Sequence, residues 1–327
     1  NAGTPAGVVI VGGAMADSSL NSSVPIRVMR VASWSDTANN SSISAPLIAT
    51  LISLGGFNAA LNLSGSGSAL PTLGVAQVVG AIGGDSWAIN GRANTIVAGS
   101  ITSAWSGTLA GLLNVIVDRG GSFASNLSAG GIGTMLVIGD VNGGAAITAA
   151  SANVIRVTGS VANSTITMNG PASATPSLRA MIVGNAITGS TIATAGDLTA
   201  LIASSLAGST ITAGVDGGVT TIDAVTPGNI GSHAIRSLRL TARTAGAFAG
   251  STVIAHTITT AALGDVNTNN NGTPEGVAAV AFTSLTATVG GIRVAPSRTQ
   301  LQDAGQLSAY FSDKGVNLGD FRVDIVT

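Results

Sequence analysis

Residues 136–149 read Leu-Val-Ile-Gly-Asp-Val-Asn-Gly-Gly-Ala-Ala-Ile-Thr-Ala, and residues 155–167 read Ile-Arg-Val-Thr-Gly-Ser-Val-Ala-Asn-Ser-Thr-Ile-Thr. The phrase returns at 181–192 (Met-Ile-Val-Gly-Asn-Ala-Ile-Thr-Gly-Ser-Thr-Ile) and at 201–213 (Leu-Ile-Ala-Ser-Ser-Leu-Ala-Gly-Ser-Thr-Ile-Thr-Ala). Each copy holds an apolar strand, a small corner, an alternating pair, and a small polar corner before a second aliphatic position. Followed along the chain, that position gives Ile43, Leu63, Ile89, Leu109, Leu127, Ile147, Ile166, Ile192, Ile211, Ile235 and Val253, ten steps that average 21 residues. Self-similarity at such a period marks a repeat architecture, in which each unit buries its apolar face only by stacking on the next.

The residue types say how one unit folds. Val, Ile and Thr favour extended backbone, alternation sends every second side chain to one face, and intervening glycines let the chain bend sharply. About 21 residues accommodate three short strands and three turns, and stacked coils pair equivalent strands about 4.8 Å apart. The expectation is an all-β parallel β-helix of roughly 13 coils. Residues 1–7 form an N-terminal extension, 8–295 the solenoid, and 296–327 a C-terminal cap or docking segment. Ser64-Gly65-Ser66-Gly67-Ser68 and 170–176 read as loops bulging from single coils. Glycine and β-branched residues recur too densely for stable helices. A β-sandwich is the rival; it would not need the motif to return every 21 residues.

Composition supports folding and narrows function. Apolar residues make up 45% and charged residues 8%, with 45 glycines and a net charge of −1; an ordinary globular domain carries about 25% charge. Disordered chains are poor in aliphatics and rich in net charge, so this chain should fold. Lys314 is the only lysine and the arginines are scattered, which argues against nucleic acid as a partner. No apolar run reaches the roughly 20 residues of a membrane-spanning helix, and the absence of cysteine excludes disulfides. The chain starts at Asn1 without a basic leader, so the expectation is an exported product, extracellular or on the cell surface, after removal of an N-terminal signal.

In this register, the Gly-x-Val/Ile corners and the Ser-Thr-Ile-Thr-Ala corners between Leu136 and Ala213 resemble the Gly/Ser/Thr-rich β-helical solenoids of secreted bacterial surface proteins, autotransporter passenger-like adhesins among them. The resemblance spans residues 8–295 and implies a right-handed coil. It carries little about function.

Chemistry is sparse. Glycan-cleaving β-helices gather carboxylates and a base on one outer face, whereas Glu275 is the sole glutamate here. Asp118 with Arg119, Asp140, Asp216 and Asp223 are the nearest acids, Asp118 and Asp140 on adjacent coils, and they read as solvated turns. His233 and His256 lie one coil apart and lack a third ligand. Polysaccharide lyase or hydrolase is therefore a distant alternative, and the chain reads as no enzyme. Asp265, Asn267, Asn269, Asn271 and Glu275 place oxygen side chains at alternate positions, resembling the opening of a calcium loop, though the glycine and twelfth ligand do not both fit. No other cofactor is suggested. Thr165/Thr167, Thr210/Thr212 and Thr257/Thr259 give the start of a flat threonine array, broken at Ala193 and Ile254.

Two function classes remain. One is a non-catalytic extracellular structural protein whose copies join end to end into a filament, sheath or surface layer. Its docking strands are Val8, Val9, Ile10 and Val11 at one end and Phe321, Val323 and Ile325 at the other, because an uncovered coil is a template for strand addition. The other is an adhesin-like stalk or glycan-binding module, for which Trp34, Trp87 and Trp105 on one outer face would supply a stacking platform.

Overall fold

The computed structural model describes residues 7–65, 67, 70–171, 176–216 and 218–327; parts of both expected loops, and residues 1–6 of the expected extension, lie outside them. It is an all-β parallel β-solenoid of about 14 turns, about 20 residues per turn, with a short C-terminal helix. Contacts divide it into two compact units, Asn1–Val157 and Thr158–Thr327.

In the N-terminal unit each coil carries three strands. Face A begins at Gly7–Ile10 and runs through Ile26–Val31, Ile48–Ser53, Leu73–Ile82 and Ala93–Ile101 to Ala152–Val157, paired in parallel throughout. Face B is the strand after the small polar corner, from Ser19–Asn21 through Ser42–Ala45, Ala60–Leu63 and Ser86–Ile89 to Ala146–Ala149. Face C is short and includes Ala14–Ala16 paired with Ser33–Ser35. The core is the space the faces enclose. On face A, Met29 stacks on Leu51, which stacks on Ala76 and Ile96, all fully buried.

Ile43 stacks between Leu20 and Leu61, and the column continues through Trp87, Gly107, Leu127 and Ile147. Leu63, Ile89 and Leu109, expected in it, stack instead two residues further along with Ala45 and Ala129. Both columns point inward because a strand repeats its facing every second residue. In the C-terminal unit Ile166, Ile192, Ile211 and Val253 stack as expected, followed by Val277 and Val323. Ile235 belongs to a different sheet, between Leu198 and Ile258.

The tryptophans are inside. Trp34, Phe57, Trp87 and Trp105 form an edge-to-face ladder with centroids 5.9, 6.0 and 5.8 Å apart. None of the three indoles is more than 2% exposed, so the expected outer platform is absent. Gly107 makes room for the last ring: a Cβ there would lie 2.4 Å from Trp105. Gly139 serves a corner, with φ of 139° and a backbone oxygen of Gly121 1.8 Å from any added Cβ.

In the C-terminal unit residues 214–233 leave the coil as an excursion with two 3-10 turns. Val219, Ile222 and Ile230 pack there on Ile254 and Ala278. Ile254 interrupts the threonine array because it is an outward position under this cover. Between the strand Glu275–Val289 and the last strand, Phe321–Ile325, a 3-10 turn at Gln300–Gln302 and a helix, α1 (Ala304–Asp313), bury Leu301, Leu307 and Phe311. Asp303 caps the helix by accepting the Gln306 N–H at 2.8 Å, supplying a partner that a helix start otherwise lacks.

Leu201→Ala, which empties a fully buried position, is expected to cost about 2–5 kcal/mol in denaturant unfolding. Gly107→Ala is expected to cost about 1–3 kcal/mol by driving a methyl group into the indole, with a shift in tryptophan emission as the local readout.

Candidate functional site

The small corner before the face B strand is apolar at Ala59, Trp105 and Ala145 of the N-terminal unit and becomes a buried polar column further along the chain. In the C-terminal unit it holds Ser164, Ser190, Ser209 and Ser251, none more than 3% exposed. The N–H groups of Ser164, Ser190 and Ser209 donate to the next serine's Oγ at 3.2, 3.2 and 3.1 Å. Each hydroxyl in turn donates to the carbonyl two residues earlier, at 2.8–3.0 Å. A serine fits because its hydroxyl both donates and accepts. At the next rung the serine is replaced by Glu275, whose Oε2 accepts the Ser251 N–H at 3.3 Å. This carboxyl is fully buried and its Oε1 has no hydrogen-bond partner among the described residues. Burial pushes it up to about 7, helped by the charge of Asp320 and opposed by the Ser251 and Gly250 N–H groups.

The oxygen-rich stretch is not arranged around one point. Asp265 sits within the strand Thr252–Val266, opposite Thr288. Asn267 Oδ1 accepts the Asn269 N–H at 3.1 Å, and Asn269 Oδ1 accepts the Asn271 N–H at 3.3 Å, so these amides stitch their own turn. The N–H groups of Asn270 and Gly272 converge at 2.6 and 3.0 Å on the carboxylate of Asp320. The loop thus turns donors toward a carboxylate of the same chain. Among the described residues no three His, Cys, Asp or Glu side chains are placed to hold a metal.

The other acids are dispersed within each unit. Asp118 lies inside the N-terminal solenoid, 1% exposed, raised by burial, and accepts the Gly120 N–H at its corner. Asp140 stands on a face C strand paired with Ser122. Nearby acids missed in the sequence are Asp36 and Asp85: burial first, then the hydrogen bond and charge of Asp36, raise Asp85 to about 6. In the C-terminal unit Asp216 and Asp223 sit on the 214–233 excursion, and Asp223 pairs with Arg322 of the last strand. His233 and His256 occupy successive rungs, the His256 N–H donating to the His233 carbonyl at 3.0 Å. His233 faces Asp197 at 3.5 Å, and Arg236 binds the same carboxylate at 2.9 Å. Burial works against the Asp197 charge, but the Ala234 N–H and Arg236 overcome it and hold the carboxyl below its ordinary value.

The expected docking strands are placed unequally. Val8 and Ile10 are 47% and 68% exposed, and Val9 and Val11 are half-buried. Gly7 and Val11 donate toward the second coil, so alternation turns the N–H groups of Val8 and Ile10 to the strand's other edge, which has no strand partner among the described residues. Val323 and Ile325 are half-buried, but Phe321 is a core residue in edge-to-face contact with Phe248. Between coils of the N-terminal unit an open groove of about 400 Å³ is lined by Asn62, Ala88, Asn90, Thr108 and Ala110. No helix of the described residues is long and apolar enough to cross a membrane. Comparison with protein families, curated proteins and solved structures finds no match to this chain.

Glu275 carries a pH signature. Its folded value lies above the ordinary 4.5, so its contribution to stability is full below about pH 4.5 and is lost as pH rises through about 7. Thermal unfolding of the wild type is expected to fall across that window, and Glu275→Gln is expected to flatten the profile. Parallel profiles for the two proteins would refute the assignment.

Proposed function

We propose that this chain is a non-catalytic structural protein of the extracellular space, whose copies join end to end through open coil edges into a filament, sheath or surface layer. The observation that carries the reading is the outer edge of the first described coil, Gly7–Ile10 and Ser19–Asn21, each paired with one strand among the described residues and leaving alternate backbone groups turned away from it. Such an edge is a template for another strand. The matching element at the other terminus is Phe321–Ile325, bonded in parallel to the strand Glu275–Val289 on one side.

The geometry refines which strands would meet. Phe321–Ile325 follows the polar corner, as Ser19–Asn21 does in the first described coil. Continuation of the coil would therefore lay Phe321–Ile325 of one copy beside Ser19–Asn21 of the next, with Val323 over Leu20. Helix α1 and the turn before it occupy part of the last coil, which restricts the contact to one sheet. A head-to-tail contact that does not close gives a linear polymer.

A second reading, an adhesin-like stalk or glycan-binding module, draws on the groove at Asn62, Asn90 and Thr108. It lacks aromatic support from the indoles, which lie inside, and glycan-array binding is its test.

Sedimentation velocity over a range of concentrations is expected to show growing species. Asn21→Pro removes one outward N–H of Ser19–Asn21, since the neighbouring Ser22 N–H donates inward to the Ser44 carbonyl, and leaves the internal ladder of that strand intact, as proline is tolerated on edges. It is expected to shorten the polymers with circular dichroism unchanged. Wild-type protein that stays monomeric at the highest concentration would refute the reading.

A further inference from the structure

The aliphatic side chains left in water are gathered. Of the ten large ones exposed among the described residues, six (Val8, Ile10, Leu54, Val75, Val79 and Ile138) stand on or at the margin of the outer surface of face A in the N-terminal unit. The outward column that starts at Val8 and ends at Val154 holds only valine and threonine through eight rungs. Its neighbour, two residues along each strand, carries Ile52, Gln77, Val97, Val117 and Leu136, with arginine only in the second and last rungs (Arg30 and Arg156). The fold does not require this. The equivalent outward column of the C-terminal unit reads Ala180, Ala200, Ser237, Thr260 and Ser284.

Exposed apolar patches of several hundred Å² on a soluble chain mark interaction surfaces. We propose that the outer surface of face A packs sheet on sheet against the same surface of a second copy. This deepens the self-association reading and shares its partner, adding a lateral contact to the one at the coil edge.

Three observations favour a second copy as the occupant. The first is extent. Eight rungs at about 4.8 Å and five residues at about 3.3 Å give a face of about 34 by 16 Å, so two copies cover about 1,100 Å², above the roughly 1,000 Å² a specific interface must clear and in the range of weak, reversible association. The second is relief. The β-branched ridges of two such faces share one spacing along the axis, so the ridges of one copy can settle between those of the other, as the inner faces of stacked sheets do about 10 Å apart. The third is chemistry. Backbone polar groups of the interior rungs are bonded within the parallel ladder, so the face needs mainly apolar cover, with Gln77 and the threonine hydroxyls as its polar side chains. The five rungs between Arg30 and Arg156 bring no charged side chain to its second column.

Arginines at both ends of the face repel their counterparts, so salt should strengthen the contact. Binding of the same face to an anionic partner would respond in the opposite sense.

The test is sedimentation equilibrium of three forms of the full chain at low and high sodium chloride. They are the wild type, the double variant Val97→Lys/Val117→Lys, and Asn21→Pro. Both valines point outward and are half-buried, so the lysines leave the core intact, which unchanged circular dichroism would verify. The expectation is a lateral dimer in the wild type that tightens with salt. It should persist in Asn21→Pro and weaken by about tenfold or more in the double-lysine variant. A double-lysine variant that dimerises like the wild type would overturn the proposal. So would a wild type that stays monomeric yet binds vesicles of anionic phospholipid in a salt-sensitive way. Loss of longer polymers alone, with the dimer retained, would strike only the end-to-end contact.

Discussion

The parallel strands described in this chain depend on strands about one coil away for their hydrogen bonds. That constraint shapes the molecule. The backbone groups of Ile48–Ser53 are satisfied by the strands before and after it in face A, and the buried side chains follow the same rule, Leu51 resting on Met29 and Ala76. A single coil has neither a core nor a ladder, so stability builds through interfaces between neighbours. The lateral surface is then free to vary, because side chains that point outward do not hold the stack together. An almost uncharged chain can therefore fold, and one surface can be valine-rich in one unit while its counterpart is alanine and serine in the other.

The polar corner shows the same dependence in a second chemistry. A column of buried hydroxyls would be costly if any were left unpaired. The serines avoid this by closing on their neighbours and on their own carbonyls at once. Where the series ends at Glu275 the pattern fails by one oxygen, and the carboxyl bears the consequence as a raised proton affinity.

Much of the architecture was legible in the sequence, because stacking forces like residues to return at like intervals. The phrase from Leu136 to Ala213 exposed the coil length, the corners and the inward position at Ile147, Ile166, Ile192 and Ile211. The slip at Leu63, Ile89 and Leu109 has a physical origin: two inward positions lie two residues apart, both aliphatic, and period alone does not choose between them. Ile235 was misplaced because the excursion at 214–233 lengthens one repeat without altering its flavour. The candidate sites were less legible. Glu275 reads as one more oxygen in an asparagine-rich turn, and only the three-dimensional register puts it behind Ser251. Asp320, fifty residues from Asn270, could not be assigned to that loop from spacing. Phe321 looked like part of an alternating edge strand, and its burial against Phe248 follows from a rung pairing that carries no local signal.

The indole ladder has a further consequence. All three tryptophans lie in the N-terminal unit, whereas the lone tyrosine, Tyr310, lies beside Phe311 and Lys314 in the helix of the other. Indole emission from this chain therefore witnesses only one of the two units. A stack that melts from one terminus would look intact or lost by that light according to where melting began. Paired with a backbone signal, the ladder turns an ordinary melting curve into a record of direction.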